Sequence, residues 1–204
     1  IYTKIIEAEL IKLFSNAYRY INFSISNQFY LICKKQGLDF FKIRNIMKDN
    51  YKRNADIPLA GFTAGPCLLK DTMQLSSFYN HQFPLFHAAM SINEGMPQYI
   101  VKKLNDEYNL KKKTVGVLGL SFKAENDDIR DSLSIKLLKN LKSKKIKTLQ
   151  SDEYYKDEKN VDKNELIKKS DIIIIATPHK AYKNVKISKN KILVDIWGIT
   201  QKYL

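Results

Sequence analysis

Between Ile5 and Gln36, the residues Ile6, Leu10, Leu13, Ala17, Tyr20, Phe23, Tyr30 and Leu31 recur at helical intervals, with Asn27 on the same line. One apolar face sustained over about 30 residues predicts a single helix of roughly 45 Å. That length exceeds what one small domain covers, so the helix is expected to span two domains or to pack against a second subunit. Gly37 is placed to end it as a C-terminal cap. Asp39 is placed to cap a shorter helix reaching about Asp49. Pro58, Gly61, Gly65 and Pro66 punctuate residues 50–66 as a loop. Helical spacing returns from about Cys67 to Phe78, and again from Pro84 to about Tyr108.

The pattern changes after Lys111–Lys113. Residues 114–120 (TVGVLGL) form a short β-rich run, followed by a helix from about Ser132 to Leu141 and a strand near Lys147 to Gln150. A further helix is predicted over Asn164 to Lys169. DIIIIAT, residues 171–177, reads as a strand buried on both faces, and KILVDI, residues 191–196, supplies another. Strand, helix, strand, helix, strand predicts a doubly wound, Rossmann-like parallel sheet, whose ligands bind beyond the carboxyl ends of the strands. The expected organisation is α/β: an all-helical domain with one long helix over residues 1–112, then the parallel-sheet domain over 113–204. The opening inside a helical pattern, at Ile1 rather than Met, leads us to expect a piece of a longer protein.

Composition narrows the function classes. With 44% hydrophobic and 11% aromatic residues the chain reads as globular. No apolar run approaches the roughly 20 residues of a membrane span, and no leader pattern opens the sequence, so no membrane partner is expected. Two cysteines, Cys33 and Cys67, make no disulfide framework and fit a reducing cytoplasm. The formal net charge of +14 raises nucleic acid as a partner. The lysines are scattered in pairs at helix ends and turns, such as Lys34–Lys35, Lys102–Lys103 and Lys168–Lys169, where they suit the helix dipole and solvent. No nucleic-acid function is therefore expected, and a polyanionic small molecule fits better. His81, His87 and His179 have no metal-ligand spacing and are expected to be structural.

The candidate chemistry lies in residues 61–71, GFTAGPCLLKD. Cys67 falls where a helix begins, a setting that favours thiolate over thiol, and Asp71 stands one turn later on the same face. A thiolate beside a carboxylate suits covalent chemistry on a carbonyl. Cys33, flanked by Leu31 and Ile32 within a helix, is expected to be a buried small hydrophobe. In the second domain Gly116 and Gly119 are three apart, without the G-x-G pair or the third glycine of a dinucleotide turn. An eleven-residue stretch, FKAENDDIRDS, follows instead and carries Lys123 and Arg130. It reads either as a solvated loop of mixed charge or, from its place at the end of the first strand, as part of a nucleotide site.

The blocks AELIKLFSNAYRYINFSISNQ, GFTAGPCLLKDT and VGVLGLSFKAENDDIRDS, together with DIIIIATPH and LVDIWG, resemble in order and spacing the nucleotide-sugar 6-dehydrogenases, UDP-glucose dehydrogenase and its relatives. The resemblance covers the central and C-terminal UDP-binding domains and leaves the family's amino-terminal NAD-binding domain outside this chain. It implies oxidation of a UDP-sugar C6 alcohol to the uronate with NAD, for polysaccharide precursors, by a homodimer joined through the long helix. Cys67 would be the nucleophile, forming a thiohemiacetal and then a thioester. Lys12 and Asn16, at i and i+4 on one helical face, match the family pair that stabilises the oxyanion at C6. Asp71 matches the carboxylate that handles the hydrolytic water. Arg53 matches an arginine that crosses the dimer interface to the partner's nucleotide-sugar. Phe62, Thr63 and Gly65 would line the sugar, with Phe122 and Lys123 also on the UDP-sugar. Lys70 and Arg130, with Cys67, would face the NAD.

Two departures bear on the substrate. Members using UDP-glucose typically carry G-G-S-C-F where this chain has AGPCL, and many place an arginine two residues after the aspartate that corresponds to Asp195, where Trp197 stands here. Both point away from UDP-glucose and towards an N-acetylated UDP-hexose. Without its NAD-binding half the chain alone is expected to be inactive as a dehydrogenase. The competing expectation is a non-catalytic dimerisation and nucleotide-binding module from a truncated or split gene.

Overall fold

The computed structural model describes residues 2–63, 65–78, 80 and 82–200; of the three histidines, His81 lies outside the described residues. The chain divides into two compact units, Ile1–Ala60 with Ala64–Glu94, and Gly61–Thr63 with Gly95–Leu204.

The first unit is helical. α1 spans Ile5–Lys35, α2 Phe40–Lys48 and α3 Pro66–Phe78, and α4 (Pro84–Tyr108) begins in this unit. α1 ends where Gly37 predicts. Gly37 takes φ +69°, its N–H reaches Lys34 O at 3.4 Å, and the Leu38 N–H reaches Cys33 O at 2.8 Å. These two bonds are a Schellman cap, which requires the left-handed conformation glycine adopts freely. Asp39 caps α2 by accepting from the N–H groups of Phe41 and Lys42.

Along α1, Leu13, Ala17, Tyr20, Asn27 and Tyr30 are buried as the periodicity predicts. Ile6 does not follow it: it is exposed with the rest of the first turn, and Leu10 is half-buried. Cys33 is buried as expected, but in the last turn of α1, where its carbonyl serves the cap. Leu13 and Ala17 pack with Leu75 of α3, and Tyr20 with Leu68 and Ala89. Asn27 Nδ2 donates to Asn93 Oδ1 at 2.9 Å, and Asn93 Nδ2 donates to Tyr20 O at 3.1 Å. This buried amide ladder fixes the register of α1 against α4, because slipping it would strand polar groups in an apolar core. The loop after α2 is pinned by Arg44, which donates to the carbonyls of Ile57 and Pro58, and by Ser26 Oγ, which donates to Pro58 O at 2.9 Å.

The second unit is built on four parallel strands, β1 Thr114–Leu118, β2 Lys147–Ser151, β3 Ile172–Ile175 and β4 Ile192–Asp195, in the order β2-β1-β3-β4. α5 (Leu133–Ser143) connects β1 to β2, and α6 (Lys163–Lys169) carries the chain back across to β3. Right-handed crossovers in opposite directions put the two helices on opposite faces, which makes the sheet doubly wound. The switch point lies between β1 and β3. β3 is four buried isoleucines, as a strand covered on both sides requires.

The glycines of TVGVLGL have packing roles. A Cβ on Gly116 would stand 2.9 Å from Leu166 Cγ of α6 and would also meet Ser170. Gly119 takes φ +90° with Thr177 N 2.8 Å from where a Cβ would be, so β1 stops at Leu118, two residues short of the predicted Leu120.

Candidate active site

In the helical unit, α1 and α3 bring three of the predicted residues together. Asn16 Nδ2 donates to Asp71 Oδ2 at 2.6 Å, and Lys12 Nζ lies 3.4 Å from the same oxygen. Lys12 and Asn16 share a face of α1 because they are one turn apart. The Asp71 side chain is only 6% exposed while that of Lys12 is 67% exposed. A buried carboxylate must be hydrogen-bonded or paired, and Asp71 has both. Cys67 is the second residue of α3, exposed, one turn before Asp71. It therefore stands in the first turn of the helix, whose leading N–H groups have no partner within the helix, as its position in the sequence predicts. Lys70, adjacent to Asp71 in sequence, is exposed. Arg53 is exposed on the 3-10 turn Lys52–Asn54. Gly65 is buried, with φ +114° just before α3, a conformation that favours glycine.

In the sheet unit, Phe62 and Thr63 are buried at 2% and 5% exposure, and Thr63 Oγ1 has no hydrogen-bond partner among the described residues. The other predicted residues sit on the loop between β1 and α5. Lys123 is exposed with its Nζ 5.5 Å from the centre of the Phe122 ring. Arg130 binds Asp128 through its Nε at 3.0 Å and its Nη2 at 2.6 Å. The loop closes on itself through the Phe122 N–H to Asp128 O at 2.9 Å.

What holds this loop is a hydrogen-bonded cluster at the carboxyl ends of the strands, in which Asp152 and His179 are buried. Asp152, just after β2, accepts from the N–H groups of Leu120 at 2.5 Å, Tyr154 at 2.8 Å and Tyr155 at 2.9 Å. His179 Nδ1 accepts from the Glu125 N–H at 3.0 Å, which places the ring proton on Nε2, facing Asp152 Oδ2 at 3.3 Å. Glu125 accepts from the Tyr154 hydroxyl at 2.7 Å and from the Lys180 N–H at 2.9 Å. Burial pushes the Asp152 carboxyl up, but the hydrogen bonds from His179 and from three backbone N–H groups outweigh it and hold the carboxyl at about 2. Sequence reading places His179 as structural and misses Asp152 and Glu125. The signal available was position: an acid directly after the second strand of a doubly wound sheet.

This edge does not fit a dinucleotide. A ribose-binding acid would occupy the place of Asp152, whose oxygens are already taken by backbone amides and His179. The β1 turn also lacks the G-x-G-x-x-G pattern of a dinucleotide site, and Gly119 is packed against Thr177. Among the described residues, no group of three or more His, Cys, Asp or Glu could hold a metal ion, and no helix is long and apolar enough to cross a membrane.

The helical unit, with its cysteine–carboxylate helix, precedes the parallel-sheet unit, and comparison with known proteins gives the family to which this arrangement belongs. The central-domain model of the UDP-glucose/GDP-mannose dehydrogenase family matches residues 6–95, and the UDP-binding-domain model of the same family matches residues 116–202. The chain belongs to this family. It is 27% identical over 199 residues to the UDP-N-acetyl-D-mannosamine dehydrogenase of Pyrococcus horikoshii, covering 92% of this chain and 47% of that protein. It is 34% identical over 143 residues to a UDP-glucose 6-dehydrogenase of Haloferax volcanii, covering 68% of this chain and 33% of that one. The solved UDP-glucose dehydrogenase of Pyrobaculum islandicum superposes with a TM-score of 0.82 at 26% identity, over 97% of this chain and 49% of that structure. The chain thus spans about half the length of relatives it matches nearly end to end.

Proposed function

We propose that the chain is the catalytic and UDP-binding portion of a nucleotide-sugar 6-dehydrogenase, which oxidises the C6 alcohol of a UDP-hexose to the uronate. Residues 1–112 would carry catalysis and dimerisation, and residues 113–204 the UDP moiety. The observation that supports this most is the meeting of Lys12 and Asn16 on Asp71, with Cys67 one turn away on the same helix.

In this reading the Cys67 thiolate adds to the C6 aldehyde, forming an S–C bond and an alkoxide. Lys12 and Asn16 stabilise that oxyanion; one such donor is worth about 10²–10³ in rate. Collapse of the thiohemiacetal with loss of hydride leaves a thioester. Asp71 takes a proton from the water that cleaves it, and the carboxylate and the free thiol are released. NAD would accept one hydride in each oxidation, held by residues outside the sheet described above, with Lys70 and Arg130 as the nearby cations. Lys123 and Phe122 would contact the UDP-sugar, Phe62, Thr63 and Gly65 would border the sugar, and Arg53 would reach the partner subunit's substrate.

The proposed substrate is a UDP-N-acetylhexosamine or UDP-glucose, the classes named in the relatives above. The proposed dimer pairs through α1, which exposes Ile11, Phe14, Tyr18, Ile25 and Ile32. Ile11, Tyr18, Ile25 and Ile32 recur every seven residues, the spacing of a helix–helix seam. The test is NADH formation by the intact protein against a panel of UDP-hexoses and UDP-N-acetylhexosamines. Turnover of one of them that is lost in Cys67→Ser supports the reading; turnover that survives Cys67→Ser removes the nucleophile.

A further inference from the structure

Trp197, the only tryptophan of the chain, stands just beyond β4. Its backbone is fixed by Asp195, which accepts from the N–H groups of Trp197 at 3.1 Å, Gly198 at 2.8 Å and Thr200 at 2.7 Å. Its indole Nε1–H donates to Ala176 O at 2.9 Å, just past β3. Both ends of the side chain are thereby set, and the benzo edge of the ring lies against Gly61. A Cβ on Gly61 would stand 2.5 Å from Trp197 Cδ2 and 2.6 Å from Cζ3, closer than any real side chain tolerates. φ does not require glycine at this position; the ring does. Gly61, Phe62 and Thr63 are buried in the sheet unit, and the Thr63 N–H turns back to Gly61 O at 2.9 Å.

We propose that Trp197 is a positioning residue for the reaction: its indole, seated on the Cα of Gly61, fixes the Gly61–Thr63 segment that leads into Cys67. This rests on the reading of Cys67 as the nucleophile. Asp195 and Ala176 hold the ring from the ends of two neighbouring strands, so the segment takes its place from the carboxyl edge of the sheet. A methyl at residue 61 and loss of the ring at residue 197 break the same contact from opposite sides.

The experiment is a double-mutant cycle in the full chain with Gly61→Ala, Trp197→Ala and the pair, read by the rate of Cys67 alkylation with iodoacetamide. In the intact enzyme it is read by kcat and KM. Each single variant is expected to change the alkylation rate and lower kcat by about 10-fold, since small misplacements of a reacting group are costly. KM for the UDP-sugar should change less than kcat, although Phe62 and Thr63 lie in the same segment. Gly61→Ala should have almost no further effect in the Trp197→Ala background, because the added methyl then has room. Trp197→Phe, which keeps a flat ring, should restore most of the rate. Gly61→Ala also keeps the single fluorophore, and its emission should shift to the red as the ring is displaced.

Additive effects, unchanged emission in Gly61→Ala, or rates unmoved by either single variant would overturn the proposal. So would a loss that falls on KM alone. A cycle that is non-additive in a chain with no affinity for UDP keeps the contact and sinks the functional reading. UDP binding with an additive cycle does the reverse.

Discussion

The Asn16 side-chain amide donates to Asp71 Oδ2 across 2.6 Å, from α1 to α3, and Lys12 shares that oxygen. One amide hydrogen of Asn16 is thereby committed, and in the proposed reaction the other would be offered to the oxyanion. Removing the amide leaves a buried carboxylate with one long, exposed cation as partner. Asn16→Ala is expected to lose about 1–3 kcal/mol of stability, the cost of an unsatisfied buried group, and to lower kcat about 10²-fold. Urea denaturation and steady-state kinetics check the two effects separately.

The two cysteines should differ sharply in reactivity. Cys67 is exposed at a helix start and Cys33 is buried in the last turn of α1. Iodoacetamide followed by mass spectrometry should label Cys67 in the folded protein and Cys33 only after denaturation. Equal labelling under native conditions would contradict the placement of Cys33.

Acid should act on the sheet unit through Asp152. Its folded carboxyl is held at about 2, below the roughly 3.9 of an unfolded aspartate, so its contribution is present above about pH 4. That contribution is lost as pH falls from about 4 towards 2, where the folded group itself takes up a proton. Asp152→Asn should be less stable than the parent at pH 7, and the difference should shrink across this window. Denaturant midpoints from pH 7 to pH 2 measure it; a constant gap would remove Asp152 as the cause.

The exposed stripe of α1 predicts self-association. Phe14→Glu with Tyr18→Glu adds two charges to that stripe without touching the buried face, since Phe14 is 53% and Tyr18 65% exposed. Sedimentation equilibrium should show the parent as a dimer and this variant as a monomer with unchanged circular dichroism. A dimer in both would place the interface elsewhere.

Much of the fold was legible in local signals. Gly37 and Asp39 mark the end of α1 and the start of α2 because caps depend on one residue and its neighbours. The four isoleucines of β3 announce a strand buried on both faces. The i, i+4 relation of Lys12 to Asn16, and of Cys67 to Asp71, follows from helix geometry alone. That the two pairs meet at Asp71 does not, because α1 and α3 come together only through packing. The same holds for His179, whose partners Asp152 and Glu125 lie 27 and 54 residues away. It holds too for Gly61 and Trp197, where one glycine among several turn-like residues owes its identity to a distant ring. Ile6 shows the opposite failure: it fits the apolar period, yet stands exposed with the first turn of α1.

The central claim is that this chain recognises the nucleotide of a UDP-sugar, and calorimetric titration of the 204-residue chain with UDP tests it most directly. The account predicts saturable binding near one UDP per chain, which weakens when Lys123 is replaced by alanine. A correctly folded chain that gives no binding heat with UDP or a UDP-sugar at several temperatures would contradict it.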